Sequence, residues 1–146
     1  MRSYLRKIVV LTLVLVQMMC MTAFAQNSAT AAALEKVNAI RVANGLSEVR
    51  YDASLEQAAN VRAQEASTSF SHTRPDGSAW YTVNDALMYG ENLAEGYNSA
   101  DEVVDAWMAS PTHRANILSS QFTTCSFSTY TVNGTTYWAQ EFGIAA

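Results

Sequence analysis

Residues 125–143 read CSFSTYTVNGTTYWAQEFG, and the reading of this stretch decides the fold. Residues alternate from Cys125 to Val132 and again from Thr135 to Phe142, and the Asn133-Gly134 pair between them suits a two-residue turn in which both positions need positive φ. The stretch therefore predicts a β-hairpin. Pairing Val132 with Thr135 puts Cys125, Phe127, Thr129, Trp138, Gln140 and Phe142 on one face and Ser126, Ser128, Tyr130, Tyr137, Ala139 and Glu141 on the other. Both faces carry aromatic bulk, so both are expected to lie under helices.

Upstream of the hairpin the period changes to that of helices. Ser99-Ala100-Asp101-Glu102 has the form of a capping box, followed by Val103, Val104 and Trp107 as a buried side, which predicts a helix over 100–109. Ser110-Pro111 ends it and suits a new N-cap with a first-turn proline, so a short helix carrying His113 and Asn116 is expected to restart there. Further back, Asp52 reads as an N-cap for a helix whose stripe is Leu55, Ala58, Ala59, Arg62, Ala63 and Ala66, a small-residue face built for close packing. Leu34, Val37, Ile40 and Ala43 mark a first helix from Ala31 to Ala43, stopped by Asn44-Gly45, and Glu48 to Tyr51 reads as a short extended piece. Between these elements, SHTRPDG at 71–77 is a turn with His72 on its lip, Trp80 to Met88 is expected to hold a short helical segment, and Gly90-Glu91-Asn92-Leu93 reads as irregular.

The first 25 residues stand apart. A cationic start (Arg2, Arg6, Lys7), an apolar run from Ile8 to Val16 and the small-residue pattern Ala23-Phe24-Ala25 form a secretory signal peptide. The run is too short to span a bilayer, and bulky Met19 before Cys20 argues against lipid attachment. The expected product is exported, with no stable membrane anchor, a short extension over 26–32 and one domain over 33–146. All 13 acidic residues follow residue 25 while only 6 of the 9 basic ones do, so the mature chain carries a net charge of −7. That surface repels nucleic acid, which is excluded as a partner. Cys125 is then the only cysteine, so the domain is expected to be held by packing, as a monomer without a disulfide in the chain.

In order, a helix with Asn38 and Arg41, SHTRPDG, GENLA at 90–94, VVDAWMASPTHRANIL at 103–118 and a hairpin ending YWAQEFG at 137–143 resemble a bacterial member of the CAP superfamily: the cysteine-rich secretory proteins, antigen 5 and the pathogenesis-related class one proteins. The resemblance covers nearly the whole mature chain. It implies an α+β fold, a three-layer α-β-α sandwich around a central, mainly antiparallel sheet. It also implies a cavity holding two histidines and usually two glutamates, with His72 and His113 matching the histidines and Glu91 the first glutamate. At the position that matches the second glutamate, three residues after Trp107, this chain has Ser110.

Taken as chemistry, two imidazoles and one carboxylate are the ligand set of a zinc centre with an open position, which makes His72 and His113, with Glu91, the candidate metal ligands and zinc the candidate divalent cofactor. Their separations of 19 and 22 residues do not bring them together on one element, so only the fold can assemble them. Read singly, each histidine is also an ordinary hydrogen-bonding residue, and Glu91 is also a carboxylate accepting N–H bonds from its own loop. Asn116 and Arg114 read as residues that hold the local path, Cys125 as a small buried hydrophobe, and the tryptophans as core and rim. The expected function is a secreted protein whose cleft, lined by His72, Glu91 and His113, binds a small molecule, a lipid or a divalent ion. The alternatives are an extracellular metal-dependent or histidine-glutamate hydrolase and an interaction domain with a vestigial cavity.

Overall fold

The computed structural model describes residues 28–145. The segment read as a signal peptide, 1–25, with Cys20, lies outside them. Helix α1 spans residues 28–43 and so begins within the stretch read as an extension. Gly45, at φ 75°, closes α1 in a Schellman motif, with the Leu46 N–H donating to the Arg41 carbonyl and the Gly45 N–H to that of Val42. Asn38 clamps the extended piece from both sides, donating to the Val49 carbonyl and accepting from its N–H, and Arg50 then bridges to Thr124 in parallel.

Helix α2 (Ala53–Thr68) is capped by Asp52, which accepts from the Leu55 N–H at 2.9 Å, and its buried residues are the six of the stripe. The segment expected to be helical from Trp80 to Met88 keeps only a 3-10 turn over Trp80–Val83. At Asn84 the backbone leaves the helical region (φ −157°, ψ 84°), as a residue whose side chain competes with helix hydrogen bonds tends to do.

Helix α3 (Ala100–Ala109) has the expected bounds. Ser99 accepts from the Glu102 N–H, while the Glu102 carboxylate reaches past Ser99 to the N–H of Asn98. Helix α4 (Pro111–Ile117) restarts at Ser110, which makes no side-chain capping bond.

The larger correction concerns 90–93, read as irregular and found to lie in strand β1 (Gly90–Glu95). It pairs antiparallel with β3 (Thr135–Gly143), which in turn pairs with β2 (Thr124–Val132), giving the order β1-β3-β2. Polar Glu91 and Asn92 and a leading glycine hide the strand, because its stability comes from the partner strand and not from its own propensities. Gly90 is required for packing: a Cβ there would meet the Phe122 ring at 2.7 Å.

The hairpin has the expected register, Val132 opposite Thr135, with Asn133 and Gly134 both at positive φ. One sheet face packs Cys125, Phe127, Trp138 and Phe142 against Val37 of α1, Val103, Val104 and Trp107 of α3, and Ile117 of α4. The other packs Leu93 and Ala139 against Ala59, Ala63 and Ala66 of α2. The molecule is thus an α-β-α sandwich with an antiparallel central sheet.

Candidate functional site

Arg62 organises the site. It sits in the alanine stripe of α2 with no exposed side-chain surface, and each of its nitrogens has an acceptor. Nε donates to Glu91 Oε2 at 2.6 Å, Nη1 to Glu65 Oε2 at 2.6 Å, and Nη2 to the Ser71 carbonyl at 2.6 Å and to Glu91 Oε1 at 3.2 Å. Small neighbours on α2 let the guanidinium reach the sheet, and β1 brings Glu91 to it.

His72 completes the chain, its Nδ1 lying 2.7 Å from Glu91 Oε1. An ionised carboxylate only accepts, so Nδ1 carries the proton, and Nε2 of the neutral ring is left with its lone pair. Arg74, bound to Glu65 through Nε at 3.0 Å and Nη2 at 2.8 Å, fastens the same loop to α2 a second time. SHTRPDG is therefore a turn held at Ser71, His72 and Arg74, and His72 is the residue it presents, 57% exposed.

The electrostatics follow from burial and pairing. Burial pushes the Glu91 carboxyl upward, but the hydrogen bonds from His72 and Arg62 outweigh it and hold the group below the usual carboxylate range. Glu65 is likewise held low by Arg74 and Arg62 against the effect of burial. The expectation that Glu91 accepts N–H bonds from its own loop gives way to these side-chain partners, since β1 is a strand whose backbone bonds to β3.

His113 arrives by another route. Asn92 donates to the His113 carbonyl at 3.1 Å and to Gln140 Oε1 at 2.9 Å, while Asn116 donates to the Glu91 carbonyl at 3.0 Å and to Asn92 Oδ1 at 2.9 Å. This amide network fastens α4 to the outer edge of β1, the path-holding role expected of Asn116. Trp107 does the same for α3, its indole N–H donating to the Leu93 carbonyl at 3.0 Å. Along that edge lies a cleft of about 290 Å³ between Phe70, Leu93, Tyr97, Trp107, Ser110 and His113. His113 is held below the ordinary histidine range by burial first and by the repulsion it would meet from a protonated His72 second, so the two imidazoles act on each other.

The three expected residues thus come together unequally: His72 and Glu91 touch, and His113 lines the adjoining cleft. Among the described residues no three His, Cys, Asp or Glu side chains group closely enough to hold a metal ion. A second, mostly apolar hollow of about 330 Å³ between Leu34, Tyr51 and Phe127 has no histidine in its lining. Cys125 is buried and burial pushes its thiol up, the opposite of a nucleophile.

Two residues of the site escape sequence reasoning. Arg62 was visible only as the one cation in a buried alanine stripe. Glu141 was visible only as the one acid on its hairpin face. The structure sets Glu141 directly across from Glu91 in the β1–β3 pair, fully buried.

Comparison with known proteins agrees with this architecture. The profile of the cysteine-rich secretory protein family, CAP, matches residues 34–142. The uncharacterized protein YkwD of Bacillus subtilis is 34% identical over 116 residues, which are 75% of this chain and 44% of that protein, so the chain spans less than half the length of this relative. A crystal structure of an extracellular protein containing an SCP domain from Bacillus anthracis superposes with a TM-score of 0.75 at 21% identity, covering 82% of this chain and 41% of that one. More distantly, NaASP2, crystallised with Zn2+, shares the fold at a TM-score of 0.53 and 16% identity, over 69% of this chain and 62% of that one. With a family profile spanning three quarters of its length over the same helices, strands and turn that build the cleft, the chain belongs to the CAP, or cysteine-rich secretory protein, family.

Proposed function

We propose that this protein works outside the cell as a binding domain, capturing a small and mainly apolar ligand in the cleft along β1 without turning it over. The single observation that carries this reading is an aromatic-walled cleft of about 290 Å³ with His113 in its lining, and His72 near enough to act electrostatically on His113. Sites of this kind hold a ligand by apolar contact and orient it with a few polar groups. Phe70, Tyr97 and Trp107 supply the walls. The His72 Nε2 lone pair is an acceptor, which favours a ligand bearing a hydroxyl or an N–H, and a sterol or a long-chain alcohol has that form. An exported location agrees with the signal-like first 25 residues and with the extracellular relative from Bacillus anthracis. Among the described residues no helix is long and apolar enough to cross a membrane.

The test is titration with sterols and long-chain alcohols beside the matched hydrocarbons, followed by tryptophan fluorescence. The alcohols should bind and the hydrocarbons bind less tightly, and His72→Ala should weaken alcohol binding by about 5- to 10-fold, as loss of one net hydrogen bond does. Equal binding of both series to wild type and variant contradicts the reading.

A divalent cation is a second reading, favoured by the lone pair at His72 Nε2 and by the zinc-containing NaASP2 structure. The fit is partial. Glu91 has almost no exposed side-chain surface and is paired with Arg62 and His72, so it orients His72 from behind, leaving the two imidazoles to hold the ion. Zinc titration by calorimetry should give one site lost in His72→Ala; the absence of stoichiometric binding ends this reading. Hydrolysis has less support, since the carboxylate that would serve as base is committed to Arg62 and His72.

A further inference from the structure

Glu141 has no exposed surface, and neither of its carboxyl oxygens has a hydrogen-bond partner. The groups around it are few. Glu91 of β1 lies directly opposite, and residues so placed in an antiparallel pair keep their Cβ atoms about 5 Å apart. Arg62 of α2 faces the same pair, but all of its nitrogens are committed to Glu91, Glu65 and Ser71. Cys125 of β2 is the remaining titratable neighbour, and its thiol is neutral.

A bare carboxylate in that setting would be a desolvated charge with no donor, next to a second carboxylate. Such a group takes up a proton instead. Burial first, and the Glu91 charge second, push its carboxyl well above the usual range. Glu91 can receive the proton: Oε1 already accepts from His72 and Arg62, whereas Oε2 accepts only from Arg62 Nε and keeps a free lone pair.

We propose that Glu141 is a second carboxyl of this cluster and carries a proton at neutral pH, which it shares with Glu91, so that Glu141, Glu91 and His72 form one proton-linked chain from the sheet interior to the exposed imidazole of His72. Glu141 is a positioning residue. Its proton satisfies the interior side of Glu91 and keeps the carboxylate turned toward His72 Nδ1, while the neutral acid adds no second negative charge beneath the imidazole. The inference stands whether or not the cleft captures a ligand, and its test uses the ligand-free protein.

The test is infrared spectroscopy of the purified protein at pH 7. A protonated-carboxyl stretch should appear in wild type and vanish in Glu141→Gln. A spectrum with ionised carboxylates only, or an acid band that survives in Glu141→Gln, overturns the proposal. Carboxyl-carbon NMR of glutamate-labelled wild type gives the same answer with no variant. One glutamate should remain protonated at pH 7, far above its usual range; complete ionisation of all glutamates by that pH overturns it.

Discussion

The two faces of the β1-β3-β2 sheet are packed by opposite means. Against α1, α3 and α4 the contact is bulky and apolar, with Trp107, Phe127, Trp138 and Phe142 filling the layer. Against α2 the helix presents alanines, and the space they leave admits a buried ion cluster, Arg62 with Glu91 and Glu65, beside the buried Glu141. The first face is filled by area and shape, the second by paired charge. The difference teaches where this fold can place chemistry: His72 and Glu91 both belong to the ionic face, and His113 is brought beside them around the edge of β1.

Truncation on the apolar face should have the largest effect. Trp107→Ala removes a buried ring between α3 and the sheet together with its bond to the Leu93 carbonyl, and denaturant unfolding should show a loss of about 4 kcal/mol. A loss under about 1 kcal/mol would show that this face is not what holds α3.

On the ionic face, Arg62→Met leaves Glu91 buried without its main counter-charge and should cost about 3 kcal/mol. Unlike the apolar loss, this one is partly recoverable: adding Glu91→Leu removes the stranded charge, so the double variant should be more stable than Arg62→Met alone. A double variant less stable than the single one would mean that the ion pair is a net stabiliser in its own right.

The pH profile sharpens the contrast further. Glu91 and Glu65 are held low, so the stability they contribute is present above the ordinary glutamate value and lost as pH falls through their folded values. His113 is also held low, so its neutral form adds stability above the usual histidine value that is lost on acidification. Glu141 is raised, so its contribution is full below the ordinary glutamate value and lost as pH rises through its folded value. The Tm of wild type relative to Glu141→Gln should therefore fall as pH rises above the ordinary glutamate value, and a flat difference would contradict the assignment. The smallest effect belongs to the surface: Lys36 bridges the exposed carboxylates of Asp101 and Asp105 from α1 to α3, and Lys36→Ala should change stability by about 0.5 kcal/mol or less.

How much of this was legible in the sequence follows the same division. Hairpin register, both of its faces and the bounds of α3 could be read because alternation, an Asn-Gly turn and a capping box are local signals. Strand β1 could not, since Gly90, Glu91 and Asn92 carry no strand propensity and only pairing with β3 makes them one. His72, Glu91 and His113 were identified by motif, but their unequal arrangement depended on Arg62, whose role is set by partners 9 and 29 residues away. Glu141 needed the β1–β3 register before its neighbour could be known.

The central claim is that Glu91, held by Arg62, sets the tautomer of His72 and so the face it shows to the cleft. Long-range proton–nitrogen NMR of the imidazole tests this most directly. Neutral His72 should carry its proton on Nδ1 in wild type and lose that preference in Glu91→Gln; a wild-type ring protonated on Nε2, with Nδ1 bare beside Glu91, would contradict the account.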